Sequence, residues 1–123
     1  MNTTKTFDFI DNGLHFKING NHVTVSGSVL DNYDGFNNMF HDKAKCDINI
    51  PAFVINNGVK YAVTVIGQRA FSGCANIVSV TIPNTVTKIG RSAFFGCSEM
   101  KSVNIPSTVT EIGEYAFYGC KRL

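Results

Sequence analysis

Residues 66–88, IGQRAFSGCANIVSVTIPNTVTK, align without a gap to residues 89–111, IGRSAFFGCSEMKSVNIPSTVTE, and 13 of the 23 positions are identical. A third copy opens at Ile112 with IGEYAFYGCKRL and runs to Leu123, midway through the unit. A unit this short cannot bury its own apolar face. Units of this kind must stack so that each covers the next, and the period therefore predicts a solenoid.

The shared positions each suggest a local reason. Gly67, Gly90 and Gly113 follow an apolar segment and Gly73, Gly96 and Gly119 precede cysteines, which predicts tight corners where residues accepting positive φ are favoured. Pro83 and Pro106 follow Ser79-Val80-Thr81-Ile82 and Ser102-Val103-Asn104-Ile105. A residue with fixed φ and no N–H ends strand pairing there. Phe71, Phe94 and Phe117 recur in register beside Ala70, Ala93 and Ala116, which predicts a stacked phenylalanine column in the core. Ile77, Val80 and Ile82 in one coil, and Met100, Val103 and Ile105 in the next, read as inward residues. Ser79, Thr81, Ser102 and Asn104 then point outward from a parallel ladder of strands about 4.7–4.9 Å apart.

The motif Ile-Pro-x-x-Val-Thr-x-Ile-Gly-x-x-Ala-Phe-x-x-Cys, present twice in full, resembles the BspA-type leucine-rich repeats of bacterial surface proteins and some microbial eukaryotes. The resemblance covers residues 48–123. It implies a mostly β, right-handed leucine-rich-repeat solenoid with a concave parallel sheet, to which the reading of the N-terminal segment adds a β-hairpin cap.

That cap is expected in residues 1–47. Leu14-His15-Phe16-Lys17-Ile18 alternates apolar and polar residues, Asn19-Gly20 interrupts, and Val23-Thr24-Val25 resumes the alternation, as in a hairpin. A solenoid's first coil otherwise exposes a strand edge and apolar surface. Between Pro51 and Ile66 the spacing is nine residues longer than between Pro83 and Ile89, and Asn56-Asn57-Gly58 there predicts a second hairpin. Residues 31–45 read as a loop with a short helix over residues 38–44.

The 123 residues fit one domain, and with 44% hydrophobic and 16% charged residues disorder is not expected. The net charge of +2 is spread along the chain, which argues against nucleic acid as a partner. No run of about 18 apolar residues predicts membrane insertion, and no signal peptide is recognisable in this chain.

Cys74, Cys97 and Cys120 recur with the repeat. Stacked coils would hold their side chains parallel, a poor disulfide geometry, and no histidine shares the period to make a zinc site. They are expected to form a buried structural ladder, with Cys46 a separate free thiol. His15, His22 and His41 lack a neighbouring nucleophile motif. Residues 31–35, DNYDG, lack the ligand alternation and closing Glu of a calcium loop. No cofactor, metal or catalytic constellation is expected.

A non-catalytic protein-binding or adhesion module is the favoured reading, because repeat solenoids present extended surfaces. The resemblance implies a secreted or cell-surface protein with a host or extracellular-matrix protein as partner. Its candidate contacts are Ser79, Thr81, Ser102 and Asn104, with Tyr33, Phe36 and Phe40 at the side. The alternative is a structural spacer within a longer solenoid. The half repeat at the C-terminus also predicts end-to-end self-association through an uncovered coil, or further repeats beyond it.

Overall fold

The computed structural model of the protein describes residues 7–28 and 46–123. Among them are ten β-strands and no helix. Strands β1 (Phe9–Asp11), β2 (Leu14–Asn19) and β3 (His22–Ser28) form an antiparallel meander. Asn12-Gly13 closes the first turn with φ of 52° and 80°, the left-handed pair that a two-residue hairpin matched to strand twist requires. The predicted hairpin is the second half of this meander. Strand β1 was not expected, although Asn12-Gly13 carries the same turn signal as Asn57-Gly58. Phe16, Val23 and Val25 face inward and are fully buried, and the Phe9 ring stacks on Phe16 at 5.3 Å.

The meander joins the repeats through β3, which pairs in parallel with β6 (Val59–Ile66) in the register Val23↔Val63 and Val25↔Ile66. His22 Nδ1 lies 3.0 Å from Thr64 Oγ1 across that pairing, so this histidine is part of the strand junction. On the other edge of β6, β5 (Phe53–Asn56) pairs antiparallel as far as Ala62, and β8 (Lys88–Ile89) pairs in parallel with Val65 and Ile66. The expected second hairpin is therefore present, closed by Asn57-Gly58 with φ of 53° and 78°. Strand β10 (Glu111–Ile112) continues the parallel ladder beyond β8.

A second, three-stranded parallel sheet contains β4 (Cys46–Asn49), β7 (Ile77–Thr81) and β9 (Ser102–Asn104). The remaining side of each coil is loop, yet its backbone is paired from coil to coil. Arg69, Phe71 and Gly73 donate to the carbonyls of Arg91, Ala93 and Phe95, and Ser92, Phe94 and Gly96 donate to those of Glu114, Ala116 and Tyr118. Buried backbone groups need partners, and here the neighbouring coil supplies them without a regular strand.

The core fills the space between these three sides. Phe71, Phe94 and Phe117 stack with ring centroids 5.3 Å apart and planes within 7° of parallel, which is the predicted column. The cysteines form a ladder beside it. Cys97 Sγ donates to the Phe71 carbonyl and Cys120 Sγ to the Phe94 carbonyl, each at 3.2 Å.

The glycines divide in a way their shared periodicity conceals. Gly73, Gly96 and Gly119 do adopt positive φ, between 75° and 82°. Gly90 and Gly113 do not; a Cβ on Gly90 would come within 2.7 Å of the Gln68 nitrogen, so glycine is needed there because the coils' backbones touch. The left-handed position of that corner falls instead on Arg69, Ser92 and Tyr115, with φ of 55–60°.

Candidate functional site

Alternation along β4, β7 and β9 sends one set of side chains into the core and the other outward. Val80 is buried, with Ile48 and Val103 half-buried beside it in register. The outward set forms two rows across the sheet, Asp47-Ser79-Ser102 and Asn49-Thr81-Asn104. All four predicted strand residues therefore lie together on one face. The first strand adds Asp47 and Asn49, which the sequence reading missed even though Asp47 and Asn49 alternate with Ile48 and Ile50 ahead of Pro51.

The six side chains are not equivalent. Ser79 Oγ donates to Asp47 Oδ1 at 2.7 Å, joining the first two strands. Asn104 is engaged twice: its Oδ1 accepts from the Ile82 N–H at 2.7 Å and its Nδ2 donates to the Ile82 carbonyl at 3.2 Å. The amide thus satisfies the backbone just past the end of β7, and its polar atoms are committed to the preceding coil. Asn49, Thr81 and Ser102 make no side-chain hydrogen bond among the described residues.

A cleft of about 270 Å³ adjoins the first strand, lined by Asn12, Leu14, Asp47, Ile48, Asn49 and Pro51. The β1–β2 turn forms one wall and β4 the other, so the meander extends the polar face. Cys46 opens β4 opposite Ile77 as a half-buried free thiol, and its pKa is raised by burial and, less, by the Asp47 carboxylate. The other predicted contacts, Tyr33, Phe36 and Phe40, lie outside the described residues, as do the expected short helix and the DNYDG loop. Among the described residues no three His, Cys, Asp or Glu side chains group as a metal site would require.

Stacked 23-residue coils carrying a parallel strand ladder define a leucine-rich-repeat solenoid. The profile of the BspA type leucine rich repeat region matches residues 37–123 in six copies, and the chain belongs to that family. Comparison with curated proteins gives no match. The fold is similar to that of a leucine-rich repeat protein from Bacteroides ovatus, with 34% identity over 95% of this chain and 28% of that one and a TM-score of 0.80. It is similar also to a leucine rich cell surface protein from Faecalibacterium prausnitzii, with 32% identity over 98% of this chain and 30% of that one and a TM-score of 0.77. A leucine-rich repeat protein from Bacteroides capillosus shares 28% identity over 89% of this chain and 72% of its own, with a TM-score of 0.73. The chain spans less than a third of the first two proteins.

Proposed function

We propose that the protein is a non-catalytic protein-binding module of a secreted or cell-surface protein, with the outward face of β4, β7 and β9 as part of its contact surface. In this reading residues 1–47 are an N-terminal cap and loop, residues 48–123 are repeats, and the coil is right-handed with the three-stranded sheet on its concave side. The observation that carries it is the availability of Asn49, Thr81 and Ser102, adjacent on one rigid sheet and without side-chain partners. The cell-surface protein among its structural neighbours supports the location.

Scale limits what this face does alone. Three strands span about 10 Å, so the six residues present on the order of 100 Å², against roughly 800 Å² per partner in a stable interface. A protein docking here must reach beyond the stripe, to the cleft at Asn12 and Asn49 or along neighbouring coils. The test is binding of the chain to immobilised extracellular-matrix proteins by biolayer interferometry. Thr81→Glu with Ser102→Glu should abolish any signal while leaving the circular dichroism spectrum unchanged. Undiminished binding by that variant would exclude the sheet face.

Exposed apolar residues on the last coil favour a second role, end-to-end self-association. Ile105, Ile112 and Leu123 are 40–52% exposed, and β9 and β10 each have one unpaired edge among the described residues. Light scattering should then show a concentration-dependent dimer, dispersed by Ile112→Lys. A monomer at millimolar concentration would leave the structural-spacer reading for this end of the chain.

A further inference from the structure

The loop side of the coils carries its own ladder, made of positions that vary between repeats. Arg69, Ser92 and Tyr115 occupy one rung position, and Ser72, Phe95 and Tyr118 another. In the last coil both are tyrosines, and Tyr118 stacks on Phe95 at 5.2 Å while meeting Tyr115 edge-on at 5.8 Å. One coil earlier the corresponding large rings are missing at Ser72 and Ser92. A cleft of about 250 Å³ remains, lined by Arg69, Ser72, Ser92 and Phe95.

Its lining is set up for recognition. Ser92 is only 8% exposed, and neither its hydroxyl nor that of Ser72 has a hydrogen-bond partner among the described residues. Both hydroxyls keep access to solvent in the cleft, where each is free to donate to and accept from a ligand. Arg69 is held at φ 59°, its N–H bonded to the Arg91 carbonyl at 2.9 Å, and its guanidinium has no acidic partner among the described residues. By contrast, Arg91 pairs with Glu114 and Arg122 with Glu99. Phe95, 38% exposed, supplies the apolar wall.

We propose that this cleft binds a carboxylated sugar residue, a uronic acid unit of an acidic polysaccharide. The guanidinium takes the carboxylate in a two-pronged hydrogen bond, the Phe95 ring covers the apolar C–H face of the pyranose, and the two serines meet its hydroxyls. The volume suits one sugar ring. An acidic peptide side chain would use Arg69 but leave both serines and the ring without a partner, so a sugar fits the whole lining better. The site is separate from the strand face proposed above and does not depend on it.

The test is a titration of the 15N-labelled chain with galacturonic acid trimer, followed by amide shifts, with galactose trimer, sodium phosphate and hexaglutamate as comparisons. Shifts should centre on Arg69, Ser72, Ser92 and Phe95, and the neutral trimer should bind at least about tenfold more weakly. Arg69→Gln, Ser92→Gly and Phe95→Leu should each weaken binding about fivefold or more, whereas Lys17→Gln, which removes a cation elsewhere, should change nothing. Glycine is chosen at position 92 because it relieves the positive φ while deleting the hydroxyl. The proposal is overturned if the trimer leaves the cleft amides unmoved at millimolar concentration, if phosphate binds as tightly and Phe95→Leu has no effect, or if hexaglutamate binds the same residues more tightly.

Discussion

The second and third coils carry the same apolar residues at their Ile, Ala-Phe and Cys positions, yet the second is the more deeply buried of the two. Ile66 and Ile89 are fully buried whereas Ile112 is 49% exposed, and Ile82 at 2% contrasts with Ile105 at 40%. Sequence is not what differs. Among the described residues, a residue in the middle coil has a neighbour above and below, and its equivalent in the coil that runs to Leu123 has one. Burial in this fold is therefore a nearest-neighbour property, and the worth of a residue depends on its coil more than on its type.

The phenylalanine column offers the largest test of that contrast. Phe94 lies between two rings at 5.3 Å and is fully buried, so Phe94→Ala should cost about 3–5 kcal/mol by urea unfolding. Among the described residues Phe117 stacks on one ring only, and Phe117→Ala should cost roughly half as much. Equal losses would mean that the last coil is covered in solution, as end-to-end association would require.

The glycines sharpen the comparison at a smaller scale. In Gly90→Ala the new methyl would lie 2.7 Å from the Gln68 nitrogen and 2.9 Å from the Gly67 carbonyl carbon, with coils on both sides to resist displacement. About 1–3 kcal/mol should be lost. Gly113→Ala creates an even closer approach, 2.5 Å to the Arg91 nitrogen, but the coil that must move is the last one. Its cost in melting temperature should be the smaller of the two despite the tighter contact, and the reverse order would show that clash distance, not coil position, governs.

These contrasts explain what could be read from the chain beforehand. The period, the phenylalanine column, the cysteine ladder and the Asn57-Gly58 hairpin all rest on residues whose type dictates a local role, and all are found. What escaped depends on relations between coils. Nothing in Arg69, Ser92 or Tyr115 signals a left-handed backbone, because the corner's conformation is imposed by pairing with the next coil. Outward pointing at Asn104 followed from strand alternation, but the capture of its amide by the Ile82 backbone needs the neighbouring coil's position. The loop-side cleft likewise arises from which coil holds serine where another holds tyrosine.

Cys97 and Cys120 carry the comparison into chemistry. Burial, with the neighbouring Cys120 adding to it, pushes the Cys97 thiol up to about 12, whereas the half-buried Cys120 is raised mainly by burial. An ordinary thiol titrates near 9.0, so the stability tied to the protonated Cys97 is complete below about pH 9 and is lost as pH rises toward 12. The urea midpoint should fall over that interval, and Cys97→Ala should flatten the decline. Native alkylation at pH 8 should modify Cys120 well before Cys97, since the thiolate is the reacting species. Equal rates would place the two thiols in equivalent surroundings.

The smallest effect concerns what ties the last coil down. Lys88 Nζ lies 3.8 Å from Glu111 Oε2 across the β8–β10 pairing, with the two side chains 48% and 66% exposed. An exposed pair at that distance contributes about 0.2–1 kcal/mol, and less as salt is added. Yet β10 is two residues long and its outer edge has no strand beside it among the described residues, so few other side-chain contacts hold it. A double-mutant cycle over Lys88→Ala and Glu111→Ala should give a coupling of a few tenths of a kcal/mol in global stability. The same variants should raise amide exchange at Ile112 and Gly113 more than at Ile89 and Gly90, because opening the last coil needs only one interface to break. Uniform exchange across the two coils would show that they unfold as one unit, and the difference in burial between them would then carry no difference in local stability.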